Sequence, residues 1–265
     1  MGRPKRRRLG QNFLVDPGVA EKMVGRLKTD PPRVLEIGPG RGALSEPLLE
    51  RFDRVLALEL DATLIPGLLE RFGDRGFEVR HSDALTEDLG AVLAADSPWQ
   101  VASNLPYSVG TAILRRLMPR NDLFSRLVVM LQREVAHRVV ADPGGSGHGL
   151  LALERAAFAD ARLLFDVQPR SFRPRPKVIS SVVALDLRPP SYTATELAGA
   201  FTLAARALTR PRKVLTNALS PGIDAAILEA ADLDPSVRPG TVPLGGWVRL
   251  ASVLSTSHKS VDGSV

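Results

Sequence analysis

Two carboxylates and one glycine-rich turn are the first residues in this 265-residue chain whose types and spacing promise chemistry. Glu36-Ile37-Gly38-Pro39-Gly40-Arg41-Gly42 follows an apolar run and opens an amphipathic one. Glycines at such a junction let a bound molecule approach the backbone. The pattern is G-x-G-x-G rather than the dinucleotide G-x-G-x-x-G, so it points to a nucleoside-type ligand, with a plain tight turn as the alternative. Glu59 stands 21 residues beyond Gly38, matching the roughly 20-residue spacing of a ribose-binding carboxylate. A carboxylate accepts two hydroxyl hydrogen bonds at once, which suits Glu59 to a ribose diol; Asp83, after the next apolar run, can take a donor from an adenine amino group. Asp61 reads as a helix N-cap rather than a ligand.

The elements that must position these groups follow from periodicity. Short apolar runs at 34–37, 55–60, 77–80, 100–103 and 127–131 read as strands, and 42–51, 62–72, 108–117 and 134–140 have helical apolar spacing. That alternation predicts an α/β domain with a parallel sheet. Two later runs, 162–167 and 179–187, read as an antiparallel pair closing one edge of it. The composition changes at Arg188-Pro189-Pro190-Ser191, so a catalytic domain over 1–188 and a helical domain over 189–265 are expected. The second has helices at 195–208 and 209–219, Thr209 as an N-cap with Pro211 in the first turn, and a flexible tail from about residue 255.

Composition narrows the function classes. Zero cysteines exclude thiolate nucleophiles, disulfides and Cys-ligated zinc or iron–sulfur clusters. His81, His137, His148 and His258 lack any H-x-x-x-H spacing, so no metal is expected. Apolar runs such as 127–131 end far short of the ~20 residues that a bilayer-spanning helix needs. The first ten residues are basic with no apolar stretch behind them and do not read as a secretory leader, which predicts a cytoplasmic protein. With 35 Lys and Arg against 29 Asp and Glu and a pI near 10.1, a polyanionic partner is favoured. Arg6, Arg7 and Arg8 read either as phosphate contacts or as a solvated arm.

The sharpest signal is Asn104-Leu105-Pro106-Tyr107, directly after the fourth strand. Together with the glycine turn, it makes the chain resemble the class I S-adenosylmethionine-dependent methyltransferases that act on the exocyclic N6 of adenine. Their [DNS]-P-P-[YFW] motif takes the N-L-P-Y form in the ribosomal RNA adenine dimethyltransferases. Leu9-Gly10-Gln11-Asn12-Phe13-Leu14, Leu131-Gln132-Arg133-Glu134-Val135, Phe172-Arg173-Pro174-Arg175-Pro176-Lys177-Val178 and Arg212-Lys213 with Asn217 narrow the likeness to the small-subunit (16S) rRNA adenine N6-dimethyltransferase family, over nearly residues 5 to 250.

This resemblance implies a mostly parallel, seven-stranded Rossmann-like sheet with helices on both faces and a small C-terminal helical domain for RNA contact. It implies that Asn12, Leu14, Gly38, Glu59, Asp83 and Asn104 line the S-adenosylmethionine pocket. The implied substrate is two adjacent adenosines near the 3′ end of small-subunit rRNA in a pre-30S particle, methylated four times in all by a monomer. The sequence departs from the family at Ser103, where a Gly is usual, at His148-Gly149, where Tyr-Gly is usual, and at Pro211, where the first Arg of Arg-Arg-Lys is usual.

The N6 lone pair of adenine is delocalised into the ring and is a poor nucleophile. In the reading that follows from the resemblance, the Asn104 oxygen and the Leu105 carbonyl accept the two N6–H bonds and aim the lone pair, Pro106 stiffens the turn, and Tyr107 and Phe172 sandwich the extruded base. A core position is the alternative for either aromatic. Lys177, Arg206, Arg210, Arg212 and Lys213 join the arginine arm as expected phosphate contacts. Competing functions are an erythromycin-resistance-type 23S rRNA methyltransferase, a non-catalytic RNA-binding factor on the same fold, and a nicotinamide-dependent oxidoreductase, the last weakened by the missing G-x-G-x-x-G.

Overall fold

The apolar runs condense into one sheet because its central parallel strands are buried on both faces, which demands near-continuous hydrophobic sequence. The computed structural model describes residues 11–259. Its strands are β1 (Phe13–Leu14), β2 (Arg33–Ile37), β3 (Arg54–Glu59), β4 (Phe77–His81), β5 (Trp99–Asn104), β6 (Phe124–Gln132), β7 (Ala159–Val167), β8 (Phe172–Arg173) and β9 (Ser180–Leu187). Seven of them form a sheet in the order β4-β3-β2-β5-β6-β9-β7, and β1 pairs with β8 in a separate two-stranded ladder. Neighbouring strands from β4 to β6 run parallel, while β9 is antiparallel to both β6 and β7. The expected antiparallel pair is therefore present, with β9 inserted between β6 and β7.

The chain order reverses between β2 and β5, so the crevice beyond the C-terminal ends of these strands is the place where such a sheet binds ligands. Glu36, Glu59 and Asn104 stand at or within one residue of the C-terminal ends of β2, β3 and β5.

Helices α1 (Pro17–Val24), α2 (Ser45–Leu49), α3 (Ile65–Phe72), α4 (Leu89–Leu93), α5 (Gly110–Leu117) and α6 (Arg133–Val140) accompany the strands. Asp16 caps α1 by accepting from the Val19 N–H, and Pro17 occupies the first turn. Three expected helices start later than their periodicity suggested, the one expected from 108 beginning at Gly110. The segment expected to be helical from 42 begins only at Ser45, after a glycine turn, and the one expected from 62 begins only at Ile65. Asp61 is not a helix N-cap: its Oδ1 accepts from the Thr63 N–H and hydroxyl, in a turn that precedes α3.

The chain divides into two compact units, one through His137 plus Ala159–Arg188, the other Arg138–Phe158 plus Pro189 onward. The second unit thus takes in α7 (Leu150–Phe158), a helix the apolar pattern did not single out. Its Leu153 and Ala157 are buried with Ala200 and Ala204 of α8 (Ala194–Leu208) and with Trp247 of α11 (Leu244–Lys259). A reciprocal capping box between Thr193 and Glu196 starts α8. Thr209 is the C-cap of α8 rather than an N-cap, so 209–214 is a turn and the next helices are α9 (Leu215–Leu219) and α10 (Ala225–Ala230). The tail expected from 255 is helical as far as Lys259; residues 260–265 lie outside the described residues. No helix among the described residues is long and apolar enough to cross a membrane.

Away from the crevice, Asp186 ties the antiparallel edge to the parallel sheet. Its Oδ1 accepts from Lys28 Nζ at 2.9 Å and Arg126 Nη1 at 2.5 Å, and its Oδ2 from Arg162 Nη2 at 3.1 Å. Arg126 is buried and also donates to the Arg26 carbonyl. Burial alone would raise the Asp186 carboxyl, but the bonds from Lys28 and Arg126, the Arg126 charge and the Arg162 bond outweigh it and hold the group at about 2. Asp186→Asn should cost about 1.5–3 kcal/mol in urea unfolding at pH 7. A depressed carboxyl lends stability that is complete above its ordinary range and lost as pH falls toward 2. The gap between wild type and variant should therefore close between pH 5 and pH 2; a gap that stays constant contradicts this account.

Candidate active site

The glycine turn leaves β2 with φ of +66° at Gly38, +59° at Gly40 and +81° at Gly42. At Gly40 two constraints coincide: the backbone is left-handed, and a Cβ would sit 3.0 Å from the Phe13 ring. The Gly40 N–H donates to Glu59 Oε2 at 3.0 Å, and the Asp61 N–H donates to Glu59 Oε1 at 2.8 Å. Each oxygen of this buried carboxylate is thus aimed by one backbone donor, with lone pairs remaining for a diol. The Asp61 backbone thus helps to position the Glu59 carboxylate. Asp83 is set in the same manner, its Oδ1 accepting from the Leu85 N–H at 2.9 Å.

At the end of β5, Ser103 donates its hydroxyl to the Ile37 carbonyl at 2.6 Å and is fully buried. The serine that departs from the family's glycine therefore braces β5 against β2. Asn104 donates its Nδ2 to the Asn12 carbonyl at 3.1 Å. Since a carbonyl can only accept, this bond fixes which way the amide is turned. Leu105 donates its N–H to the Met130 carbonyl, and the Pro106 carbonyl accepts from Val109 and Gly110, which closes the turn. Tyr107 hydrogen-bonds through its hydroxyl to Ser180 Oγ at 2.6 Å. Burial raises the Tyr107 hydroxyl above its ordinary range, and the Ser180 bond partly offsets this.

Asn12, Gly38, Glu59, Asp83, Asn104, Leu105, Pro106 and Tyr107 line one cavity of about 320 Å³, a volume in the range of small-molecule sites. Leu14 and Phe172 do not line it. They oppose each other in the β1–β8 ladder and are buried in the core with Met23 and Val24. Successive strand residues point to opposite faces, so the register that sinks Leu14 and Phe172 into the core turns Phe13 outward onto the cavity. The expected pairing of Phe172 with Tyr107 around a base is thus corrected: a fully buried ring cannot be half of that sandwich.

The expected phosphate contacts divide. Lys177 is exposed on the loop after β8, and Arg212 and Lys213 are exposed in the turn after α8. Arg206 and Arg210 are exposed as well, and their guanidinium groups are engaged: Arg206 donates to the Leu219 and Pro221 carbonyls, and Arg210 to those of Asn217 and Ser220. Both close the end of α9, where unpaired carbonyls attract cations. Pro211 lies in the same turn, outside any helix. Arg6, Arg7 and Arg8 lie outside the described residues. At the other departure, His148 Nδ1 meets the Gly240 carbonyl at 2.8 Å, and burial lowers its basicity.

Two polar residues near the cavity were not singled out from sequence. Ser180 lies 73 residues from Tyr107, beyond any local pattern. Glu36 looks like part of the glycine motif, yet it is fully buried with its Oε2 accepting from Ser45 Oγ at 2.7 Å. A glutamate inside an apolar strand was the signal available.

A family model described as Ribosomal RNA adenine dimethylase matches residues 2–254. Among similar curated proteins, the Ribosomal RNA small subunit methyltransferase A of Marinobacter nauticus is 34% identical over 261 residues, covering 97% of this chain and 94% of that one. The protein of the same name from Pseudomonas aeruginosa is 36% identical over 253 residues, covering 94% of each. Among solved structures, a dimethyladenosine transferase from Plasmodium falciparum is similar with a TM-score of 0.78 at 23% identity, covering 94% of this chain and 98% of that one. The 23S rRNA methyltransferase ErmE follows with 0.69 at 23% identity, covering 92% and 100%. At that identity the two structures bear on the fold alone.

Burial, opposed by the Ser45 bond and reinforced by the charge of Glu59, pushes the Glu36 carboxyl up to about 8. The folded protein then holds a proton that the unfolded chain releases near the ordinary 4.5. This contribution is complete below pH 4.5 and is lost as pH rises through about 8. Glu36→Gln should therefore flatten the decline in Tm between pH 5 and pH 8. Parallel Tm profiles for variant and wild type would show that Glu36 is ionised in the fold.

Proposed function

Because the chain belongs to the ribosomal RNA adenine dimethylase family, we propose that it transfers methyl groups from S-adenosylmethionine to the N6 atoms of two adjacent adenosines near the 3′ end of small-subunit rRNA. The fold is the mostly parallel α/β sheet of the class I methyltransferases. The observation that carries the reading is that one cavity gathers Glu59, Asp83 and the Asn104-Leu105-Pro106-Tyr107 turn.

The donor set suits the methyl donor. Glu59, aimed by two backbone N–H groups, fits a ribose diol, and Asp83 fits an adenine amine. The left-handed glycines let a ligand lie against the backbone, and nothing comes within 4 Å of where a Gly38 Cβ would be. When bound, S-adenosylmethionine supplies an electrophilic methyl group on a sulfonium.

The protein's own contribution is orientation. With its Nδ2 committed to Asn12, Asn104 has only its oxygen left to accept an N6–H of the target base. The Leu105 carbonyl accepts the second, and together they turn the amino group so that its lone pair points along one line. Tyr107 gives the ring a face to stack on, a contact worth roughly 1–3 kcal/mol. No side-chain base is needed, since the methylated amine is acidic enough to release its proton to water. Lys177, Arg212 and Lys213 hold phosphates, and the helical second unit contacts the RNA of a pre-30S particle. The protein works as a cytoplasmic monomer in this reading.

The relatives at 34–36% identity bear the small-subunit name, which favours that substrate over 23S rRNA. Mass spectrometry of 16S and 23S rRNA after incubation of 30S and 50S particles with protein and S-adenosylmethionine should find two dimethyladenosines in the former only; methylation confined to 23S rRNA overturns the assignment. Asn104→Ala should lower kcat by about 10²–10³-fold while S-adenosylmethionine affinity by calorimetry changes less than about tenfold, because the lost interaction is made mainly in the transition state. An undiminished rate of radiolabel transfer would refute the orienting role.

A further inference from the structure

Tyr107 stands on a turn and lines an open cavity, where a ring held only by its own backbone has several rotamers available. Its hydroxyl reaches Ser180 at 2.6 Å. Ser180 is fully buried at the first position of β9, in register with Gln132 on β6 and Val167 on β7. Its backbone is thus laddered to a strand on each side. The next residue, Ser181, points to the opposite face and gives its hydroxyl to Asp166 at 2.6 Å. Of two adjacent buried serines, one therefore ties β9 to its neighbour and the other reaches out to the cavity wall.

We propose that Ser180 is a positioning residue for the methyl transfer: the hydrogen bond between its hydroxyl and that of Tyr107 fixes the ring against which the target adenine is laid. This rests on the proposed function. A base stacked on a ring inherits the ring's orientation, so anchoring the far end of Tyr107 sets the angle at which the amine meets Asn104. Anchored at its hydroxyl as well as at its backbone, the ring loses the freedom of both side-chain torsions before any base arrives, and the base need not order it.

The test is a double-mutant cycle in single-turnover methylation of 30S particles. Tyr107→Phe and Ser180→Ala should each slow the reaction about 3- to 10-fold, the range expected for loss of one hydrogen bond. The double variant should be no slower than the slower single one, because both changes remove the same bond. S-adenosylmethionine affinity should be unchanged in all three. Ser181→Ala should lower Tm without slowing transfer, which separates positioning from mere stability. Multiplicative losses in the double variant, or a normal rate in Ser180→Ala, overturn the proposal.

The chain has two tyrosines, Tyr107 and Tyr192, so NMR of protein isotopically labelled at tyrosine Cζ reports the contact without activity. The Tyr107 signal should move in Ser180→Ala and stay in Ser181→Ala. If wild type transfers no methyl group to RNA, the proposed function fails, and the spectrum still decides the contact: an unmoved Tyr107 signal removes it.

Discussion

The hydrogen bond from the Asn104 amide to the Asn12 carbonyl is the interaction on which the site depends. An isolated asparagine offers donor and acceptor indifferently. With its nitrogen turned to a carbonyl, its oxygen faces the other way, and an amide that could sit either way round becomes directional. The same bond fastens the segment before β1 across the crevice. That segment is in turn fixed by β8, by the Val15 N–H on the Ser171 carbonyl and by Ser171 on Asp16. One wall of the cavity is therefore built from residues distant in sequence.

The crevice also manages charge. Glu36 and Glu59 stand on neighbouring strands in an apolar sheet, where two full charges would each be poorly solvated and would repel one another. Burial resolves the conflict by keeping Glu36 protonated, while Glu59 is given a backbone donor on each oxygen. Of the two, only Glu59 lines the cavity, while burial holds the Glu36 carboxyl well above its ordinary range.

Arginine is used differently from what a basic isoelectric point suggests. Arg51 donates to the Val24 and Leu27 carbonyls beyond α1, Arg155 to those of Val139 and Ala141 at the end of α6, and Arg249 to those of Ala231 and Asp232 after α10. Arg206 and Arg210 do the same for α9. Helix C-termini carry unpaired carbonyls and partial negative charge, and a forked guanidinium satisfies two at once. At least these five of the 35 Lys and Arg thus have a structural task, which net charge alone does not reveal.

The two-residue strands β1 and β8 were not legible in the sequence, being too short to show a period. The seven strands of the main sheet, their order along the chain and the groups at their C-terminal ends were legible there, because apolar period and motif spacing are local properties. Gly38, Glu59, Asp83 and the Asn104 to Tyr107 turn could be placed at strand ends from these alone. The assignments that failed concern partners. Whether Phe172 faced a base or the core depended on its register with Leu14, and which carbonyls Arg206 meets depended on where α9 ends. That α7 packs with Trp247, that Glu36 keeps its proton and that Ser180 reaches Tyr107 were settled only by folding. Amino-acid type sets what a side chain can do; which of those options it takes is fixed by neighbours that the fold brings together from distant parts of the chain.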